Sequence, residues 1–325
     1  MKLKVGVIGT GKLGGIHTKL WSENENADLV GIFDPDNDRA SELSSQFGIK
    51  AFDSIEDLLD NIEAITIASP TIYHFDIAKQ CIESGKHCLI EKPITHKYKE
   101  AEELISIANK NDVVIQVGHV ERFNPALAAI KDQHFSPLFI EAHRMAQFVP
   151  RAIDVSVIHD LMIHDIDIML SLVPSKVKDV IANGVAVLTD TPDICNARIT
   201  FENGAVANLT ASRISATPMR KMRLFQNNSY TSIDFGKPDV EVFTLFDEGH
   251  EFEDGKQPTA KLGSIEAGLR NKNIFYNKPE VPKLNAIAEE QNAFIKSIKQ
   301  HSNVAVSAED AAEALRIAEI ISEQI

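Results

Sequence analysis

Over the first 120 residues, short unbroken apolar runs alternate with stretches of helical period. Residues 3–8 predict a strand, 12–21 a helix, 29–33 a second strand, and a helix follows near 38–46. Residues 64–68 are strand-like, 73–84 are helical with Gly85 as the stop, 87–90 form a strand, 97–109 a helix and 113–117 a strand. Strands buried on both faces read as continuous apolar runs, as VGVIG and AITIA do. Alternation of strand and helix specifies βαβ units around a parallel sheet.

The texture changes after about residue 124. Residues 125–132 look helical, 138–148 form a strand and 153–172 a long helix. From 176 to 246 strand follows strand: IANGVAVL, ARITF, AVANLTAS, RKMRLFQN, YTSIDF and VEVFTLF, with turn signals at Glu202-Asn203-Gly204 and Asn227-Asn228. Residues 247–282 are polar and read as loop. Two helices close the chain, near 284–300 and 308–323, with Ser307 as N-cap of the last and Asp310 as its acidic N3 residue. The expected fold class is α/β: an N-terminal doubly wound Rossmann domain over 1–122, and a C-terminal α+β domain over 123–325 with a large, mostly antiparallel sheet. One face of such a sheet packs on helices. The other meets water or a second subunit, so a homo-oligomer, dimer or tetramer, through the open face is expected.

Composition narrows the function. The 325 residues carry 33 Lys and Arg against 47 Asp and Glu, a net charge of −14. Acidic residues outnumber basic ones both in the first 121 positions and in the remainder. Duplex nucleic acid and anionic membranes are repelled at long range. A small anionic ligand needs a local cluster of Arg or Lys. Cys81, Cys88 and Cys195 form no C-x-x-C pair, so neither a disulfide framework nor a zinc site is expected, and a reducing, cytoplasmic setting fits. No signal peptide and no membrane-spanning stretch is expected.

Gly9-Thr10-Gly11-Lys12-Leu13-Gly14 fits G-x-G-x-x-G. It directly follows a strand and opens a helix, the context that motif requires. Gly9 permits the tight turn, Gly11 lets a pyrophosphate reach the backbone, and Gly14 packs helix on strand. Asp34 ends the second strand, where a carboxylate binds the adenosine ribose diol and repels the phosphate of NADP, which favours NAD. The alternative is a turn-starting Asp in Asp34-Pro35-Asp36. Glu91-Lys92-Pro93 follows the strand HCLI, at the end of a parallel strand where such folds bind ligands. Lys92 there can hydrogen-bond a substrate hydroxyl; the alternative is a surface salt bridge beside a turn proline.

The densest polar cluster is His159 to Asp167. Asp160 and His164 are spaced to share one helical face, with Asp167 a turn further on. A histidine near its working pKa can take a hydroxyl proton, oriented by the carboxylate. A helix-surface ion pair and a metal site compete with that reading, though no cysteine supports a metal. Arg122, Arg144, Arg151 and Arg213 are candidates to hold a substrate phosphate bidentately, as are Arg220, Lys221 and Arg223.

GTGKLG after the first strand, EKP after the fifth and D-x-x-x-H on a later helix together resemble the Gfo/Idh/MocA oxidoreductases, over nearly the whole chain. The resemblance implies a two-domain NAD(P)-dependent enzyme acting on sugars, inositols or sugar nucleotides. It implies that Lys92 and His164 contact the reacting hydroxyl, with His164 as base and Asp160 beside it. It also implies cofactor contacts at Ser69, Pro70, Thr71 and His74, with Glu91 and Lys92. VGHVERFNP, VSVIHDLMIHDIDI and DTPDICNARITFENGAVANLTASR resemble the branch that oxidises the 3-hydroxyl of UDP-N-acetylglucosamine, whose product feeds a 3-amino sugar of lipid A. Two other uses of the same architecture remain open: a glycosidase that oxidises its sugar transiently on bound NAD, and a sugar sensor without turnover. Relatives of the first kind are longer, and a sensor need not keep Lys92, Asp160 and His164 together.

Overall fold

The computed structural model describes residues 1–149, 155–252, 258–267 and 270–325. The chain divides into two compact units: Met1–Phe123 with Leu284–Glu319, and Asn124–Lys283 with Ile320–Ile325. The first stretch of the first unit ends at Phe123. The expectation that everything beyond it forms the second domain does not hold, because 284–319 return to the first unit.

That unit is built on β1 (Leu3–Ile8), β2 (Ala27–Phe33), β3 (Lys50–Ala51), β4 (Ala64–Ile67), β5 (His87–Glu91) and β6 (Ile115–Gly118). The order β3-β2-β1-β4-β5-β6 is parallel throughout the pairs between them. The order reverses direction at β1, which is where open α/β sheets bind ligands. Helices α1 (Lys12–Glu23), α2 (Asn37–Phe47), α3 (Ile55–Leu59), α4 (His74–Glu83) and α5 (Tyr98–Asn111) connect the strands.

Alternate strand residues feed two cores. Leu3, Val5 and Val7 pack with Trp21 of α1, whose indole N–H donates to Thr66 at 2.9 Å. Ile8, Ile65 and Ile67 enter the opposite core with Cys81, Ile82 and Leu104. Each core is finished by the end of the chain. After α6 (Pro125–Ala128) and α7 (Ile163–Leu172) of the other unit, α8 (Ala286–Gln300) gives Phe294 and Ile295 to the first core. Helix α9 (Ala308–Ser322) gives Ala308, Ala311 and Leu315 to the second. The predicted cap of α9 forms: Asp310 N–H donates to Ser307 Oγ at 3.1 Å and Ser307 N–H to Asp310 Oδ2 at 3.4 Å.

The second unit carries a nine-stranded sheet, ordered β14-β15-β13-β12-β11-β7-β10-β9-β8. Its strands are β7 (Phe139–Met145), β8 (Val177–Val185), β9 (Ile194–Phe201), β10 (Val206–Ser212), β11 (Met219–Gln226), β12 (Ser229–Asp234), β13 (Asp239–Asp247), β14 (Ala260–Ala267) and β15 (Arg270–Asn277). All neighbours are antiparallel except β7 and β10. The six strands expected between 176 and 246 are present. The 247–282 segment differs from the loop expected: it holds β14 and β15. The edge strand β14 is largely exposed and β15 beside it is mostly half-buried, and both lack a clean apolar alternation. The helix expected over 125–132 shortens to α6, one turn.

Alternation along the sheet separates two faces. Ile140, Ala142, Met222, Leu224, Ile233 and Val240 are buried on one. The other carries a cross-strand ladder of rings: Phe139, Phe225, Tyr230, Phe243 and Tyr276, with successive centroids 5.8, 5.0, 5.7 and 5.2 Å apart.

Candidate active site

In the first unit the β1–α1 turn makes a cradle. Gly9 has φ of +91°, and a Cβ there would lie 2.7 Å from the Ala68 backbone. A Cβ at Gly14 would run into the Gly9 carbonyl oxygen, whereas one at Gly11 would meet nothing within 4 Å. The turn therefore closes tightly at both ends and leaves its middle open. No side chain caps the start of α1 and no acid sits in its first turn, so its N–H groups remain for an anion. The cavity beside it holds about 650 Å³ and is lined by Gly9, Gly11, Lys12, Leu13, Asp34, Ser69 and Pro70, together with Arg39 and Tyr73. Ser69 Oγ is buried and without a partner among the described residues, an open bond at the cavity's edge. Glycine backbone, helix N-terminus, carboxylate and unused hydroxyl fit a dinucleotide.

Asp34 Oδ2 accepts from Thr10 N–H at 2.6 Å and Thr10 Oγ at 2.8 Å; Oδ1 accepts from Asp36 N–H at 2.9 Å. Burial raises its pKa, but these bonds, led by the Thr10 N–H and helped by Arg39, outweigh burial and hold it below the ordinary carboxylate value. The turn and ribose readings are thus compatible: the turn bonds fix an ionised carboxylate at the cavity wall. Arg39 is paired with Asp36 at 3.0 Å.

His74, an expected cofactor contact, faces two backbone carbonyls. It is 1% exposed, with Nδ1 2.9 Å from the Pro93 carbonyl oxygen and Nε2 2.8 Å from that of Ser69. Burial lowers its pKa against those bonds and the charge of Glu91. The ring ties the loop of Ser69, Pro70 and Thr71 to the turn after β5. Glu91 is the next residue expected there. Its carboxylate turns into the fold, where Oε1 lies 2.8 Å from His17 Nε2 and Oε2 accepts from Lys92 N–H at 3.2 Å. Lys92, half-buried, follows at the strand end, joined to Pro93 by a cis peptide.

In the second unit, Asp160 sits in a π turn, Ile158–Met162, that runs into α7. The sequence suggested one uniform helix from 153; residues 150–154 lie outside the described residues, and Arg151 with them. Asp160 and His164 are half-buried, whereas Ile163, Asp165, Ile166, Asp167, Ile168 and Met169 are buried. His159 shares that partial exposure, so the half-buried polar groups of this segment are His159, Asp160 and His164. Asp167, expected beside them, is 1% exposed.

The candidate arginines described here have partners of their own. Arg144, 3% exposed, donates Nε to Asp165 Oδ2 at 3.0 Å and Nη2 to Asp165 Oδ1 at 2.9 Å. Arg213 donates Nε to Asp193 at 3.1 Å, Nη1 to the Val155 carbonyl at 2.9 Å and Nη2 to Thr191 Oγ at 2.8 Å. Both guanidinium groups are engaged inside their own unit. Arg223 is paired with Glu141 at 2.9 Å and Lys221 with Asp234 at 3.5 Å. Arg122 lies on the turn after β6. Sequence reasoning missed His17, Glu290 and Gln291, described below; the helical period marks His17 as sharing a buried face with Gly14, Thr18 and Trp21 and says nothing of its partners.

Residues 3–119 match the model of an oxidoreductase family with an NAD-binding Rossmann fold, GFO_IDH_MocA, and residues 132–228 match the Gfo/Idh/MocA C-terminal domain. A UDP-N-acetylglucosamine 3-dehydrogenase of Acidithiobacillus ferrooxidans is 42% identical over 72% of this chain and 74% of its own. The chain belongs to the Gfo/Idh/MocA family of oxidoreductases. The solved structure of a UDP-N-acetylglucosamine 3-dehydrogenase from the same organism superposes with a TM-score of 0.89, at 33% identity over 100% of this chain and 98% of the other. A scyllo-inositol dehydrogenase of Lactobacillus casei, solved with NAD(H) and scyllo-inositol, shares the fold at TM-score 0.78 and 19% identity, covering 100% and 97%. The Gfo/Idh/MocA protein described here is thus a dehydrogenase of the NAD-binding Rossmann class. Among its described residues no helix is long and apolar enough to cross a membrane.

Proposed function

We propose that the chain oxidises the 3-hydroxyl of UDP-N-acetylglucosamine with NAD⁺ rather than NADP⁺. The 42% identity to a dehydrogenase of that name carries the reading. Asp34 supports the coenzyme choice, since an ionised carboxylate at the ribose end attracts a diol and repels a phosphate. Gly9, Thr10, Gly11, Lys12, Leu13 and Gly14 would hold the diphosphate, Asp34 the ribose, and Ser69 with Pro70 and Thr71 the nicotinamide side. The coenzyme supplies the hydride acceptor. His164 takes the hydroxyl proton, Lys92 donates a hydrogen bond that stabilises the developing alkoxide, and Asp160 orients the imidazole. Arg122 is the remaining described candidate, of those four arginines, for the substrate phosphates.

The aromatic ladder supports the homo-oligomer reading: Phe225 is 39% exposed on a face whose neighbours are also rings. Phe225→Asp should lower the mass measured by light scattering. The three cysteines are free and buried, which suits action in the cytoplasm. The deciding assay follows NADH formation with UDP-N-acetylglucosamine, free N-acetylglucosamine and inositols in parallel. Turnover of inositol without turnover of the sugar nucleotide would favour the second reading, the activity named for the L. casei neighbour.

A further inference from the structure

Behind the strand end that presents Lys92, the first unit holds a buried polar cluster that the reaction above does not use. Gln291 of α8 donates Nε2 to the His17 carbonyl oxygen at 3.2 Å and to His17 Nδ1 at 3.3 Å. The carbonyl fixes which way the amide points, and the amide fixes the imidazole tautomer: the proton is on Nε2, facing Glu91. Glu91 thereby receives two N–H groups, from His17 and from the Lys92 backbone.

Glu290, the next residue on α8, is 0% exposed, and neither of its carboxyl oxygens has a donor among the described residues. A ligand atom from each of His17, Glu91 and Glu290 lies within 4.8 Å of the other two. Gln116 of β6 donates Nε2 to the Glu290 backbone carbonyl at 2.9 Å. The amide oxygens of Gln116 and Gln291 are themselves buried and without a donor among the described residues. An ionised Glu290 would add a second negative charge beside Glu91, with no N–H to solvate it. A carboxylic acid lacks that penalty.

We propose that Glu290 is a positioning residue held as a neutral carboxylic acid, leaving Glu91 as the negative partner of His17 behind the backbone of Lys92. Burial first and the Glu91 charge second both push the Glu290 pKa well above its ordinary value. The turn Val120–Phe123 packs on α8, and it brings His119, Glu121 and Arg122 to the same helix, each with interactions of its own. Ionisation of Glu290 would set two carboxylates against each other at the root of the EKP turn. The functional half of the proposal rests on the assignment of Lys92 to the reacting hydroxyl.

Five measurements on the full chain test it. Infrared difference spectra of wild type against Glu290→Gln at neutral pH should show the carbonyl stretch of a buried carboxylic acid, moved by D₂O; its absence overturns the proposal. Gln is isosteric with the neutral acid, so the variant should fold. Relative to it, the wild-type folding constant should fall by about tenfold per pH unit above the unfolded value near 4.5 until Glu290 ionises. A ratio independent of pH between about 5 and 8 overturns the proposal. Stoichiometric divalent metal in the wild type that is lost in the variant would also overturn it, in favour of a His17, Glu91 and Glu290 cation site. The alkaline decline of kcat should move in Glu290→Gln; an unmoved profile removes the positioning role. Failure of the Lys92 assignment would show as unchanged turnover in Lys92→Ala, with the infrared band still present.

Discussion

Replacing Arg213 by Ala separates a structural arginine from a phosphate-binding one. The guanidinium sits over Asp193, whose side chain is 0% exposed and whose Oδ2 accepts from the N–H groups of Val187, Leu188 and Thr189. Burial raises the Asp193 pKa, but those bonds more than reverse it and hold it far below the carboxylate range. The residue is therefore a charge in the folded state, and Arg213 is its paired cation. Removing one partner of a buried pair costs about 3–5 kcal/mol. The backbone donors around Asp193 persist in the variant, which places the cost near the lower end, about 3 kcal/mol. The loss of donors to the Val155 and Pro192 carbonyls adds to it. For a unit of this size each kcal/mol lowers Tm by about 2–4 °C, so the second unit should melt roughly 6–12 °C earlier. Differential scanning calorimetry with and without coenzyme resolves that transition, and initial rates give KM for the sugar nucleotide. Asp193→Asn in the same background should recover part of the loss, because the unpaired charge is gone. An Arg213→Ala protein that melts with the wild type while its KM rises about tenfold or more would refute the argument and restore the phosphate role.

Gly14→Ala forces a methyl into the Gly9 carbonyl oxygen, so coenzyme binding followed by quenching of intrinsic fluorescence should weaken at least about tenfold; full affinity would contradict the cradle. Asp34→Ser should raise the NADP⁺ to NAD⁺ ratio of kcat/KM, and an unchanged ratio would remove the ribose contact. Because the folded Asp34 pKa is depressed, its tie to Thr10 contributes stability above the unfolded value of 3.8 and loses it as pH falls below, a difference that acid titration of Asp34→Asn should lack. His164→Ala should lower kcat by about 10²–10⁴ with coenzyme affinity kept, and undiminished turnover would exclude it as the base.

The parts of this molecule that could be read directly are those in which one local rule decides the outcome. VGVIG and AITIA are strands because every residue in them is covered from both sides, and GTGKLG is a turn because two of its glycines occupy sites where a Cβ would collide. Polar strands were not legible: β14 and β15 are held by backbone pairing at the sheet edge, with little apolar contrast to mark them. Arg144 and Arg213 looked like free cations because the acids that claim them, Asp165 and Asp193, lie 21 and 20 positions away. The π turn at Ile158–Met162 was equally hidden, since a helical period is blind to one widened turn. The cluster of His17, Glu91 and Glu290 is drawn from three distant stretches, and no spacing announces it.

The split ownership of the first unit has a consequence for how the protein is made. Phe294, Val306, Ala311 and Leu315, all from the last tenth of the chain, are packed at 0–1% exposure against strands formed by the first 120 residues. A ribosome synthesising this polypeptide emits every strand of the nucleotide cradle before the two helices that seal it. The nascent sheet must wait, unsealed on both faces, while the entire intervening unit emerges.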